Sequence, residues 1–331
     1  MSHLELIIPF GIPPASLAKD LLKEMHTPGL ARLIASAGKA KVQAIDDFSR
    51  ALSYEYWLAS QFPPGDKANS PPLAWNRMKA CGLTPEAGYW FLLQPVHIHI
   101  ARDHLVLTDQ RRLHIGEAES RVLFEQAKAS CEEIGLQLLF GDAQNWFLRA
   151  DAWPELQTAT VDAACGHNID IWMPKGEFER AWRKLQNEIQ MQWFTHDINA
   201  QREMRGAKVI NSVWISGGAQ SLHPEMKQIS EATDYAQHLA QSPAGNKHAP
   251  ALLGNLSEAA INNDWALWLD NIHVLEKKWF SPLLTGLRNK QVSSLKLHFS
   301  DGHRIASFDV TPWSLRKFWV KPSLHHLFSI S

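Results

Sequence analysis

The 331-residue sequence has only three cysteines, Cys81, Cys131 and Cys165, and they lie far apart. No Cys-x-x-Cys pair is available for a metal. An odd, scattered set does not build a disulfide framework, so the expectation is a cytoplasmic protein in a reducing compartment. No apolar run approaches the roughly 18 residues that a membrane-spanning helix needs. No basic region precedes an apolar stretch at the N-terminus, so no signal peptide is expected. An excess of charge of either sign is also missing. Lys plus Arg number 33 against 34 Asp plus Glu, which gives no electrostatic case for nucleic acid or an anionic membrane surface. Repeats and low-complexity tracts are absent as well.

What the chain does have is core. Apolar residues make up 45% and tryptophans number 14; each Trp buries a large area with one donor to satisfy. Leu4 to Phe10 reads as a buried strand. Ser16 and Thr27-Pro28 read as the starts of two helices. Leu136 to Phe140 and Trp146 to Ala150 flank a Gly-Asp turn as a hairpin, and Val292 to Phe299 with Arg304 to Val310 form another. Ile169 to Met173 reads as a strand, and Pro95 marks an edge or a bulge in its strand. The polar stretch 221–250 reads as a lid-like loop around one helix. Strands alternating with helices argue an α/β fold, a sheet flanked by helices, with a hairpin-rich α+β insert. The expected division is a core of residues 1–88 with 196–331 and an inserted subdomain of residues 89–195.

Candidate chemistry is sparse. His97 and His99 share one strand face, with Asp103 beyond them, and could hold a metal; two imidazoles on a half-exposed strand are the plainer reading. Asp301 and His303 flank Gly302, where Asp-Gly is first of all turn chemistry. Gly217-Gly218 after a strand could form an anion-binding nest or simply a tight exit. Asp270 and His273, one helical turn apart, read as a solvated face. Ser49 and Ser53 have no evident base partner.

The stretch from His196 to Ala219 carries more information. His196, Asn199, Arg202, Gly206, Asn211, Trp214 and Gly217 fall at fixed spacing through a turn, a short helix and a strand expected in the sheet interior. They resemble a signature of the archaeal-type, cofactor-independent phosphoglycerate mutases of the alkaline phosphatase superfamily, in which H-P-V-N-x-x-R precedes A-N-x-I-W-L-W-G-x-G. Thr158 to Pro174, followed by Lys175-Gly176, resembles that family's threonine-containing segment, and Thr27-Pro28-Gly29-Leu30 its first helix. About two-thirds of the chain is covered, and the whole chain resembles a group of proteobacterial proteins carrying the phosphoglycerate mutase label.

The resemblance implies an alkaline-phosphatase-like fold and makes Asn199, Arg202, Asn211, Gly217 and Gly218 candidate ligand-binding residues. It also exposes departures. The active family places Asp-Gly-Met after its first strand, as a metal ligand; here Pro9-Phe10-Gly11-Ile12 follows. The family's Gly-Ser-Asp nucleophile loop corresponds to Ser49 to Ser53, which lacks that motif, and its later Asp-x-x-Gly-His and Asp-His ligands have no counterpart after Ala219. A two-metal phosphoryl transfer needs those groups. The expectation is therefore a degenerate relative with no cofactor, binding a small anionic metabolite or a protein partner. The alternative is an active phosphoglycerate mutase or phosphomonoesterase with Mn or Zn held by relocated ligands, for which His97, His99, Asp301 and His303 are the weak candidates.

Overall fold

Leu4, Leu6 and Ile8 of the first strand point to one side and are all but inaccessible, while His3 and Glu5 keep some exposure on the other. That period of two repeats in Leu295, Leu297 and Phe299, and pairing these strands lines up one apolar face. In a computed structural model, which describes residues 2–60, 69–84, 86–220, 229–230, 232–240, 249–317 and 319–330, the chain forms two units, Met1–Asp47 with Lys227–Ser331, and Phe48–Met226.

The first unit opens with β1 (Ser2–Ile8), α1 (Ala15–Glu24), α2 (Pro28–Ala37) and β2 (Lys41–Ala44). The second unit contains α3 (Ser53–Ser60), α4 (Ala74–Ala80), β3 (Tyr89–Val96), β4 (Ile98–Ala101), β5 (His104–Leu107), α5 (Glu117–Glu133), β6 (Gln137–Phe140) and β7 (Trp146–Arg149). It continues through α6 (Val161–Ala164), α7 (Glu179–Phe194), α8 (Asp197–Met204) and β8 (Ser212–Gln220). The chain then returns to the first unit with α9 (Tyr235–Ala240), β9 (Ala251–Leu252), α10 (Ser257–Ile261), α11 (Trp265–Leu275), α12 (Ser281–Arg288), β10 (Val292–Ser300), β11 (Arg304–Val310) and α13 (His325–Phe328). The fold is mixed α/β. Among the described residues no helix is long and apolar enough to cross a membrane.

The sheet of the first unit runs β2-β11-β10-β1-β9, with β1 parallel to β10 and β9 and the remaining pairs antiparallel. Its apolar face packs Leu6, Leu297, Phe299 and Phe308 against Leu30, Ile34, Trp268, Phe280 and Leu283 from the helices. The expected Thr27 cap of α2 is not made: the Thr27 hydroxyl is buried and has no partner among the described residues. Instead Glu276, in a π-helical stretch between α11 and α12, accepts from Gly29 N at 2.8 Å and Leu30 N at 3.0 Å. A carboxylate at a helix N-terminus satisfies free N–H groups and meets the positive end of the dipole. A Cβ at Gly29 would come within 2.6 Å of that carboxylate, so only glycine permits the approach.

In the second unit the sheet runs β6-β7-β3-β8 and is antiparallel throughout. Phe91, Leu93, Trp146 and Ile215 face the helices that carry Leu123, Trp182 and Ile189, while Trp90, Phe147 and Ala219 face Ala74 and Met78 of α4. Pro95 sits where β3 has run past the end of β7 and pairs only with β8, so its missing N–H breaks no ladder bond on that side.

Four further expectations change. The chain divides after Asp47 and Met226, not at 88/89 and 195/196, because β8 pairs with β3 and draws residues 196–220 into the second unit. β8 therefore belongs to an antiparallel sheet and is its end strand, not an interior strand of the first sheet. It is nonetheless buried on both faces: Val213 and Trp214 are 0% and 1% exposed and join different core clusters. Ile169–Ile171 is a 3-10 turn, not a strand, because the Asn168 side chain accepts from Asp170 N and closes it. α1 starts at Ala15 with Pro14 before it and no side-chain cap from Ser16. Most of the expected lid-like segment 221–250 lies outside the described residues; α9 lies within it.

Candidate functional site

The five residues that the resemblance marks for ligand binding all serve the framework of the second unit. His196 caps α8, its Nδ1 accepting from Ile198 N at 3.1 Å. That turn sets Asn199 and Arg202 facing inward. Asn199 donates to Trp193 O and Ile210 O and accepts from Ile210 N, each at 2.8 Å. Arg202, 0% exposed, donates to Lys208 O at 2.7 Å, to Glu119 at 2.6 Å and to Leu113 O. Burial pushes the Glu119 carboxyl up, but hydrogen bonds from Arg205 and Gly116 and the Arg202 charge outweigh it and hold the group below the usual range. Asn211 pairs both ends of its amide with Ile98 N and O, each at 2.8 Å, standing in for a strand partner. Gly217, with φ +66°, donates to Ser70 Oγ at 2.9 Å. A Cβ on Gly218 would meet the Phe91 and Tyr89 rings within 2.8 Å. The glycine pair thus serves close packing.

The metal candidates are divided between the units. His97 and His99 stack with ring centroids 5.6 Å apart. His97 Nδ1 lies 2.9 Å from Val209 O and His99 Nδ1 lies 3.3 Å from Thr108 Oγ1. Burial, with Lys208 nearby, pushes the His97 imidazole below its ordinary pKa. Asp103 pairs with its neighbour His104 at 2.9 Å. In the first unit Asp301 accepts from the backbone N–H of His303 and Arg304 at 2.8 and 2.6 Å and from the Arg304 guanidinium, fixing the β10–β11 turn. His303 lies 3.8 Å from Asp47. Among the described residues no three of His, Cys, Asp and Glu gather where one ion could be held. The segment after β1 is apolar: Phe10 has φ +56°, its carbonyl accepts from Trp268 Nε1 at 2.9 Å, and a Cβ on Gly11 would press into Phe299 at 2.5 Å.

The comparisons with known proteins fall beside this geometry. No family model and no curated protein matches the chain. Among solved structures it is similar to a cofactor-independent phosphoglycerate mutase from Thermoplasma acidophilum DSM 1728, at 13% identity and a TM-score of 0.43 over 94% of this chain and 90% of that one. It is also similar to the PH0037 protein of Pyrococcus horikoshii, at 11% identity and a TM-score of 0.47 over 94% and 88%.

Titratable groups do converge elsewhere, in a cluster that pattern reading missed. Arg111 holds Asp162 with both Nη atoms, at 3.2 and 2.8 Å, and its Nε reaches Asp109. The Tyr54 hydroxyl donates to Asp162 Oδ2 at 2.8 Å. Beside them Glu55 Oε2 accepts from Leu52 N at 2.8 Å and from the Thr160 hydroxyl at 2.7 Å. Burial first, and then the Asp162 charge, push the Glu55 carboxyl up to about 8. The same two causes raise the Tyr54 phenol well above its usual range. Arg111 stays charged, since Asp162 and Asp109 outweigh its burial. The available signal was an acid among the apolar residues of α3 and an Asp in the first turn of α6. Chemically, the cluster binds α3, α6 and the 3-10 turn Gln110–Leu113 together and favours the neutral form of the Glu55 carboxyl.

Proposed function

We propose that this chain is a degenerate relative of the cofactor-independent phosphoglycerate mutases that has lost two-metal phosphoryl transfer and works by binding a small anionic metabolite. One observation carries the reading. The position that follows the first strand, where the resemblance calls for a metal-binding aspartate, is filled by Pro9, Phe10, Gly11 and Ile12 packed against Trp268 and Phe299. Those side chains offer a cation no ligand, and the family's metal chemistry does not fit them. The matched residues Asn199, Arg202 and Asn211 are compatible with this reading, because their bonds serve the scaffold whether or not chemistry survives. Three free cysteines support a cytoplasmic location.

The rival reading, an active Mn- or Zn-dependent mutase or phosphomonoesterase, draws on the stacked His97 and His99. The test is to supply the purified chain with 3-phosphoglycerate in the presence of Mn, Co or Zn ions, alongside elemental analysis. The expected result is no interconversion and no stoichiometric metal. Metal-dependent turnover, with about one or two ions per chain retained through mild chelation, overturns the proposal.

A further inference from the structure

The second unit buries Arg50 and Arg202 and half-buries Arg111, and the last two are paired as buried charges must be. Arg202 has a carboxylate and two carbonyls; Arg111 has two carboxylates. Arg50 is the exception. It is 8% exposed, yet among the described residues its guanidinium makes one hydrogen bond, from Nη1 to Met173 O at 3.2 Å. Among the described residues no carboxylate lies within ion-pair distance of it. A guanidinium has five N–H donors and does not lose its proton in a protein, so neutralisation cannot relieve the site. Burial lowers the Arg50 pKa, and the Tyr56 phenol offsets it only in part.

We propose that Arg50 is the anchor of an oxyanion-binding site, completed by the phosphate or carboxylate group of a small ligand. The residue is held at both ends before any ligand arrives. Its backbone carbonyl accepts from Thr160 N at 2.9 Å, and its side chain is tethered to Met173 O. A fixed fork with free donors suits a planar or tetrahedral oxyanion, which takes two parallel N–H bonds. Lys175, two residues beyond the tethering carbonyl, adds an exposed cation to the same segment. This inference rests on the proposed binding role and moves it from Arg202, whose donors face inward, to Arg50.

The test is thermal unfolding of the full chain in phosphate, acetate and chloride, for the wild type, Arg50→Met and Arg50→Gln. Phosphate or acetate should raise the wild-type Tm by several degrees beyond chloride at equal ionic strength. Both variants should lose that rise, because neither carries the charged fork. A larger response to phosphate than to acetate assigns a phosphorylated ligand; the reverse assigns a carboxylate. An equal response in wild type and both variants overturns the Arg50 site while leaving anion binding intact. No response to either oxyanion overturns both. Arg50→Gln, which keeps a donor for Met173 O, decides the matter if Arg50→Met fails to fold.

Discussion

Replacing Glu55 by Gln should make the second unit less sensitive to pH. Glu55 Oε2 already accepts two hydrogen bonds, from Leu52 N and the Thr160 hydroxyl, so the proton of the neutral acid sits on Oε1. A glutamine reproduces that arrangement, with its carbonyl accepting both bonds and its NH2 in place of the O–H. The wild-type carboxyl is raised from an ordinary 4.5 to about 8. Between those values the folded chain keeps a proton that the unfolded chain has released. Stability from this group is therefore fully present below about pH 4.5, falls as pH rises, and is gone above about pH 8. A displacement of that size is worth at most about 5 kcal/mol, or on the order of 10 °C in Tm for a unit of this length. The assay is urea denaturation followed by tryptophan fluorescence from pH 5 to pH 9. The quantity to read is the difference between the two proteins, in which all other titrations cancel. Glu55→Gln should nearly match the wild type at pH 5 and exceed it progressively up to pH 9. Parallel curves across that window would show that Glu55 ionises normally in the folded chain and would refute the reasoning.

Other substitutions probe the framework. Trp214→Ala should cost roughly 3–5 kcal/mol by chemical denaturation, since the ring is 1% exposed and its Nε1 donates to Ala159 O at 2.7 Å; a loss below about 1 kcal/mol would mean that β8 is not part of the core. Glu276→Ala should destabilise the first unit by about 1–3 kcal/mol by stranding the N–H groups of Gly29 and Leu30, and circular dichroism melts of Glu276→Gln should recover part of that. Arg202→Met should lower stability by about 3–5 kcal/mol, as expected for one partner removed from a buried pair, while leaving any phosphate-induced rise in Tm unchanged. Loss of that rise without loss of stability would reinstate Arg202 as the anion ligand.

The parts of the fold legible in the sequence were those set by local chemistry. The β10–β11 turn could be read because Asp301 makes its own bonds to the next residues. The first strand, Ser2–Ile8, could be read as Leu4 to Phe10 from its run of apolar residues. What could not be read depends on partners distant in sequence. The cap of α2 comes from Glu276, 247 positions away, and nothing in Thr27-Pro28 signals that its own hydroxyl is idle. The composition of β8 shows that it is buried but not in which sheet: end and interior strands look alike when helices or loops cover both faces. The Arg111 cluster joins segments that share no motif, so only their convergence reveals it.

That distinction also explains why the resemblance is strong in one place and absent in another. Asn199 and Asn211 act through amide geometry, each imitating a peptide group for a neighbouring backbone. Arg202 acts through three inward donors. Any substitution there strands buried carbonyls or N–H groups, at a cost of about 1–3 kcal/mol each, whatever the protein does. Such residues persist as long as the fold persists. The turn after β1 is under no such constraint: Phe10 and Gly11 fill it with apolar packing, and an aspartate there would have to be desolvated against Phe299 and Trp268. A match confined to residues that hold backbone together therefore argues for shared scaffold and leaves shared chemistry undecided. It is the oxyanion response of Arg50, which lies in the Ser49 to Ser53 segment that lacks the family's nucleophile motif, that separates a binding protein from an idle scaffold.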